Sequence, residues 1–394
     1  MSREPFSATG NQMVANALRQ VDPDVMPAYP ITPQTTIVET YAKFVADGVV
    51  NTEFVPVESE HSAMSAAIGA SAAGSRVATA TSSQGLAFMW EELPIAAGMR
   101  LPIVLANANR TISAPINIHC DHSDIMGVRD AGWIMFFAET AQEAYDNTVI
   151  AFKVAEDSNV LLPVITALDG FTTTHAMERC VLEEDQTVKD YVGEYVPKYP
   201  LLDTKNPVSQ GNYANIGNMY MRTKMAHRRA IENAAPIIEK HGKEWASIVG
   251  RNFDLVDAWG CEDADYVIVT LGSNAGNARH AARLLREKGI AAGVARPRVF
   301  RPFPGEQLAK ACSHAKAVAV LDRSDSMGAC EGPVAMETKS ALADAGLHIP
   351  VSSYIAGLGG ADITLDQING VFAELEERAT SGMNSKLMYL GIEE

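Results

Sequence analysis

The stretch from Phe54 to Gly74 reads FVPVESEHSAMSAAIGASAAG. It opens as a short apolar strand and closes as a helix of small residues, with Glu58, Glu60 and His61 at the joint. In α/β folds such a joint is where ligands bind, outside the carboxyl ends of parallel strands. The strand's alternation puts Phe54, Pro56 and Glu58 on one face, and Glu60 falls at the strand's end, just before the helix. A carboxylate at a helix start is favoured by the helix dipole, which alone could account for Glu60. The helix suggests more: Ala63, Ala66, Ala67, Gly69 and Ala70 leave little bulk, so another backbone or a ligand can approach closely. A carboxyl group beside such a surface is expected to be partly desolvated, which raises its pKa and lets it share a proton. His61 is expected to be structural.

Outward from this joint the runs DVMPAY, TEFVPV, RVATAT, LPIVLAN, GWIMFF and VLLPVITA alternate with helical patterns at Gln34–Val45, Ser62–Gly74, Leu86–Gly98 and Ala141–Glu156. Short apolar strands alternating with amphipathic helices predict a doubly wound parallel sheet over residues 1–182. After LDGFTTTHAMERC the periodicity breaks. Residues 183–260 hold prolines, tyrosines and polar turns, then one helical stretch from about Asn218 to His241. This is too long for a simple loop and reads as an ordered connector wrapping the first domain. A second alternation begins at ADYVIVTLGSNAG and continues through AAGVARPR, AVAVLDR and IPVSSYI, with helices at Cys330–Ala345 and Thr364–Arg378. It predicts a smaller α/β domain over 261–394. GSNAG, after the strand Tyr266–Leu271, resembles a phosphate-binding turn. A lone G-x-x-x-G is weak evidence, and an ordinary strand-to-helix turn is the preferred reading.

At 394 residues the chain exceeds one ordinary core, and a composition of 47% hydrophobic and 20% charged residues is that of a globular protein. No apolar run is long enough to span a bilayer, and the N-terminal MSREPFSATGNQ lacks the apolar segment of a signal peptide. A cytoplasmic protein is expected. A net charge of −16 opposes binding to nucleic acid or anionic membrane. The one basic cluster, MRTKMAHRRA (Met221 to Ala230), has helical spacing and reads as a solvated helix face or a subunit contact. The five cysteines are scattered without any C-x-x-C, so neither a zinc site nor an iron–sulfur cluster can be built locally. They are expected to be reduced and mostly buried. Any electron carriers would lie on another chain.

Two further strand ends stand out. In AYPITPQTTIVE, Thr32 is placed as a helix N-cap with Pro33 at the first helical position, while Pro30 and Pro33 stiffen a loop that presents the Thr32 hydroxyl to a ligand. In LANANRTISAPINIHCDHSD, Arg110 follows a buried strand and precedes a polar loop; its guanidinium suits a planar carboxylate. His119, Asp121, His122 and Asp124 are metal-ligand types, but their odd-even spacing on a loop matches no recognised set, and no metal is expected there.

Together YPITPQT, VESEHSAMSAAIGASAAG, TSSQGL, RLPIVLANANR, APINIHCDHSD and LDGF resemble the alpha-type subunits of pyruvate:ferredoxin oxidoreductases, within the 2-oxoacid:ferredoxin oxidoreductase family. VLDRSDSMGACEGP and YIAGLGGADIT extend the resemblance over nearly the whole chain. It implies a thiamine diphosphate domain of the pyrimidine-binding type followed by a transketolase C-terminal-like domain. It also implies that Glu60 hydrogen-bonds the aminopyrimidine N1′, that Pro30 lies in a cofactor-lining loop, and that Thr32 and Arg110 contact the 2-oxoacid. A carboxyl group on N1′ favours the imino form, whose 4′-nitrogen can take the thiazolium C2 proton. The implied reaction is oxidative decarboxylation of pyruvate, with coenzyme A taking the acyl group and ferredoxin the electrons.

Thiamine enzymes usually hold the diphosphate and Mg²⁺ through a Gly-Asp-Gly, and here ALDGF has Leu168 where the first glycine belongs. The resemblance agrees: beta, gamma and delta-type subunits would supply the diphosphate site, the Mg²⁺ and the [4Fe-4S] clusters. The chain is then half of an active site. Three alternatives stay open at this level: a sibling enzyme for branched-chain 2-oxoacids, a non-catalytic scaffold subunit, and a nucleotide-binding enzyme resting only on GSNAG.

Overall fold

Runs such as Val77–Thr81 and Ile103–Asn109 are buried at every position, as strands covered on both faces must be. The computed structural model describes residues 4–211, 213–383 and 386–392. The first three residues of the N-terminal stretch quoted above therefore lie outside the description. The two runs sit within a seven-stranded sheet of order Val299–Arg301, Ile134–Ala138, Val164–Asp169, Ile103–Asn109, Val77–Thr81, Val25–Ala28 and Glu53–Pro56. All neighbours in it are parallel except the first pair. One face is covered by Gly10–Val21, Thr35–Ala46, Ala141–Glu156 and Asn218–Val249. The other is covered by Glu60–Ala73, Ser83–Phe88 and Leu93–Gly98, and then by the second half of the chain.

That second half forms a six-stranded sheet in the order Met388–Tyr389, Val351–Ile355, Ala317–Asp322, Tyr266–Thr270, Ala292–Pro297 and Val256–Trp259. It is parallel except for the antiparallel edge strand Val256–Trp259, which comes from the stretch read as connector. The doubly wound α/β architecture is therefore present in both halves. The halves are not independent bodies. Val299–Arg301 leaves the second half to pair with Ile134–Ala138, and Phe300 is fully buried. One apolar cluster runs from Ala63, Leu86, Trp133 and Phe137 through Phe300 to Val267, Val269 and Leu308. Domains joined by a small polar interface are expected to move; a shared apolar core holds these two together.

Several elements depart from the sequence expectation. The segment Leu86–Gly98, read as one helix, is two, Ser83–Phe88 and Leu93–Gly98, with a turn between them. The helix Gly10–Val21 was not expected, although Thr9 and Gln12 make a full capping box at its start. The long helix runs to Val249 rather than ending near His241. Gly242 is no terminator: a Cβ there would lie 2.0 Å from the Phe253 ring, so the glycine admits an aromatic ring against the helix. Tyr191 Oη donates to the His241 carbonyl (2.9 Å) within the connector, and Trp245 Nε1 donates to Asp146 (2.7 Å), fastening the connector to the first domain.

A buried ion cluster reinforces the junction. Arg296 makes two bonds to Glu143 (2.7 and 3.1 Å), and Arg298 lies 2.8 Å from the same carboxylate. Burial pushes the Glu143 carboxyl up, but the Arg298 and Arg296 guanidiniums outweigh it and bring the group down to about 2, from 4.5. A lowered folded-state pKa stabilises above the unfolded value and is lost as pH falls through the folded one. Stability on the order of 3 kcal/mol should therefore disappear between about pH 4.5 and pH 2. Unfolding followed by tryptophan fluorescence should show this acid limb in the wild type and a shallower one in Glu143→Gln; identical limbs would refute the assignment.

Candidate active site

Ser59 has extended backbone, and its Oγ accepts from the Ser62 N–H at 3.2 Å, a side-chain cap that starts the helix at Glu60, two residues before the expected Ser62. Glu60 thus becomes the first helical residue, where the dipole favours its negative charge. It is 9% exposed, and its carboxyl group makes no hydrogen bond among the described residues. Gly85 creates the space it occupies. A Cβ at Gly85 would lie 2.7 Å from Glu60 Cγ, 2.9 Å from Glu60 Oε1 and 2.5 Å from Thr81 Oγ1. The Thr81 and Ser82 hydroxyls at this strand end are buried and have no protein partner either.

Leaving buried polar groups unmade is expensive, and native structures rarely do so without a ligand or water in view. The Glu60 carboxyl and the Thr81 hydroxyl, both against the position a Gly85 Cβ would take, fit a flat ligand edge carrying both donors and acceptors, as an aminopyrimidine does. Around this niche, Glu58 is exposed and accepts from Ser62 Oγ (2.5 Å). His61 lies 3.5 Å from Glu92 and packs near the Phe88 ring (5.5 Å).

The reading of Thr32 as N-cap and Pro33 as first helical residue is overturned. The helix begins at Thr35, and a turn intervenes in which the Ile31 carbonyl accepts from the Gln34 N–H (2.8 Å) and the Thr35 N–H (3.1 Å). The cause is Gln34, which is fully buried: its Oε1 accepts from the Ile31 N–H (3.2 Å) and its Nε2 donates to the Ala80 carbonyl (2.8 Å). Thr32 and Pro30 are left exposed in the loop.

The Thr32 carbonyl accepts from Arg110 Nη1 at 3.0 Å, so the structure brings these two expected residues into contact. Arg110 is 8% exposed, and its Nε donates to the Asn117 carbonyl (3.2 Å). Its Nη2 has no partner among the described residues. Burial lowers its pKa, and Asp124 pulls back in part. Ser83 Oγ donates to the Thr111 carbonyl and Gln84 Nε2 to Ser113 Oγ (2.8 Å), so the turn backing Glu60 also touches the loop after Arg110.

The four metal-type residues of the loop diverge. His119 is exposed and bonds Asn117, Asp121 binds Ser123, Asp124 faces Asn107 and Asn109, and His122 turns inward to Asp169 (2.7 Å). Cys120, His122 and Asp169 do place ligand-type atoms within 4.8 Å of one another. Asp169 is already saturated there. It accepts from His122, from the Ser273 N–H (3.0 Å) and hydroxyl (2.6 Å), and from Arg323 Nη1 (3.0 Å), and a guanidinium at that distance opposes a cation. Burial would raise its pKa, but His122, Arg323 and Ser273 together hold the carboxyl well below the usual range.

Ser273 belongs to GSNAG. Its donors are occupied by the first domain's own carboxylate, and Gly272, with φ +61°, has no Cβ to keep Asp169 away. All five cysteines are free, with Cys330 exposed and the rest buried. No helix among the described residues is long and apolar enough to cross a membrane.

Three features of this site were missing from the sequence reading. Gly85 stands in the motif TSSQGL with no role read from it. Gln34 was passed over as a helix residue, and Asp169 was read only as a failed Gly-Asp-Gly.

Comparison with known proteins places this geometry in context. Residues 16–243 match the family model described as pyruvate flavodoxin/ferredoxin oxidoreductase, thiamine diphosphate-binding, and residues 264–368 match pyruvate:ferredoxin oxidoreductase core domain II. The pyruvate synthase subunit PorA of Thermotoga maritima is 48% identical over 99% of this chain and 99% of its own. The ketoisovalerate oxidoreductase subunit VorA of Pyrococcus horikoshii is 40% identical over 96% of this chain and 95% of its own. Among solved structures, the 2-oxoglutarate:ferredoxin oxidoreductase of Magnetococcus marinus superposes with a TM-score of 0.72 at 20% identity, covering 94% of this chain. This chain spans 65% of that longer one.

Adding a methyl group at Gly85 tests the niche directly. Gly85→Ala should lower unfolding stability by about 1–3 kcal/mol, the usual effect of overpacking. Glu60→Ala in the same chain should recover part of that loss, since two of the three short contacts are with Glu60. Denaturant unfolding of the single and double variants decides it. A double variant no better than additive would mean that the two residues do not share the space.

Proposed function

The chain belongs to the pyruvate flavodoxin/ferredoxin oxidoreductase family, and from that premise we propose that it is the alpha-type subunit of a pyruvate:ferredoxin oxidoreductase. The reaction is the oxidative decarboxylation of pyruvate to acetyl-CoA and carbon dioxide, with electrons passed to ferredoxin. The observation that carries this reading is the Glu60 side chain, 9% exposed and without a hydrogen bond among the described residues, beside the buried, unpartnered Thr81 hydroxyl. These groups fit the aminopyrimidine edge of thiamine diphosphate. When bound, that cofactor supplies the carbanion chemistry by which a 2-oxoacid loses carbon dioxide.

Glu60 holds or returns a proton at the pyrimidine nitrogen it faces, and the small residues of its helix leave room for the ring. Arg110 grips the 2-oxoacid carboxylate through its unpartnered Nη2 edge. Thr32 stands on the loop that this guanidinium already holds, and Pro30 lines the same loop on the cofactor side. Residues 1–182 act as the cofactor domain, 183–260 as its connector and 261–394 as the supporting domain.

Among the described residues, the aspartate of LDGF, where a diphosphate and Mg²⁺ motif would stand, is committed to His122, Ser273 and Arg323. The reading therefore assigns the diphosphate, the Mg²⁺ and the [4Fe-4S] clusters to beta, gamma and delta-type partner subunits in a cytoplasmic complex. Ferredoxin would dock on the cluster-bearing partner, since ferredoxins are generally acidic and this chain carries a net −16. A branched-chain 2-oxoacid is the second reading, supported by the ketoisovalerate relative. Arg110 and Thr32 address the head group that all such substrates share.

The test uses the complex co-expressed with its partner subunits. Pyruvate- and coenzyme-A-dependent reduction of ferredoxin or a viologen dye should fall by roughly 100-fold or more in Glu60→Gln, the scale of a lost acid–base group. Near-normal rates in the variant would return the chain to a scaffold role. A wild-type complex faster on 2-oxoisovalerate than on pyruvate would select the second reading.

A further inference from the structure

Asp124 lies in the short helix Ser123–Gly127 and is 2% exposed. Its Oδ2 accepts from the Ser83 N–H (3.0 Å), from Asn107 Nδ2 (3.0 Å) and from the Arg110 N–H (3.1 Å). Its Oδ1 accepts from Asn109 Nδ2 (2.9 Å) and the Ile125 N–H (2.7 Å). All five partners donate, so both oxygens must accept, and only a carboxylate offers two acceptors in this shape.

The hub spans the two halves of the candidate site. Ser83 belongs to the turn whose Gly85 backs Glu60, while Arg110 closes the strand Ile103–Asn109. Ser83 has φ +49°, a left-handed conformation that a non-glycine residue keeps only when its surroundings impose it. Those surroundings are Asp124 at its N–H and the Thr111 carbonyl at its hydroxyl. The amides of Asn107 and Asn109 are turned to donate to Asp124, and their own carbonyl oxygens are left buried without partners.

We propose that Asp124 is a positioning residue for the 2-oxoacid reaction, fixing the carboxylate-gripping Arg110 against the turn that backs Glu60. It touches neither cofactor nor substrate. It sets the separation between the group that serves the one and the group that holds the other. This rests on the roles given above to Glu60 and Arg110, and the experiment separates the two ideas.

In the assembled complex, Asp124→Asn presents an amide NH₂ to donors in either orientation, and so displaces one side of the hub. Steady-state kinetics with pyruvate should show kcat/KM down by about 100-fold, the scale of a misplacement near 1 Å, with most of the loss in KM. The same substitution on an Arg110→Ala background should add less than about 3-fold, because the group being positioned is gone. Full additivity, or a normal KM with wild-type kcat/KM in the single variant, would overturn the proposal.

Should Asp124→Asn fail to assemble, Asn109→Ala removes one donor and must show the same non-additivity with Arg110→Ala at about a 10-fold single effect; additivity there is equally fatal. Near-wild-type activity of Arg110→Ala would remove the substrate reading and this inference together. A large loss in Arg110→Ala beside an unaffected Asp124→Asn would remove this inference alone.

Discussion

A carboxylate buried at the end of a parallel strand must find charged or hydrogen-bonding partners, because an unpaired buried charge is several kcal/mol too costly to keep. Asp169 finds them on both sides of the domain junction: His122 from the first half, Ser273 and Arg323 from the second. Its neighbours repeat the pattern. The His122 N–H donates to the Arg323 carbonyl (2.7 Å), the Gly360 N–H to the Cys120 carbonyl (2.7 Å), and Asn117 Nδ2 to the Gly359 carbonyl (2.9 Å). The loop that follows Arg110 is therefore clamped by the second domain, and the Asn117 carbonyl it presents is one of the two acceptors holding the guanidinium. The second half of the chain thus holds the loop that carries the Asn117 carbonyl.

The sequence made the large features legible because they rest on periodicity. Strands buried on both faces are continuous apolar runs, and the helix Ala141–Glu156 appears with the ends that its spacing predicts. Glu60 could be singled out because a carboxyl beside alanines and glycines is a conspicuous departure from packing logic. What escaped depends on long-range contacts. Nothing local in PQT says that the Gln34 side chain will reach the Ala80 carbonyl and move the helix start past Thr32. Nothing in PRVFRP says that three residues will leave their own sheet for another. Gly242 reads as a stop until Phe253 is seen lying against it. Gly85 is a turn glycine on paper and the floor of a polar niche in space.

Buried polar atoms without partners occur at several places in this chain, Asn147, Thr338, Ser352 and Ser353 among them, and also at the strand ends next to the candidate site. Thr81, Ser82, Asn107 and Asn109 all hold unpaired buried atoms. All belong to the central strands Val77–Thr81 and Ile103–Asn109 or to the residue that directly follows. Packing has been completed elsewhere along those strands and left incomplete at the end where chemistry is expected.

The excursion of Val299–Arg301 into the first sheet also bears on how such a chain can be rearranged over evolution. Two domains joined by a flexible linker can be divided into separate genes, or fused in a new order, by a cut in the linker. Here a cut near residue 260 would leave one product missing an edge strand and the other carrying Phe300 with nowhere to bury it. Gene fission at the apparent domain boundary would therefore yield two pieces that must find each other before either is complete. The pair is constrained to be inherited, and shuffled among multisubunit enzymes, as one block.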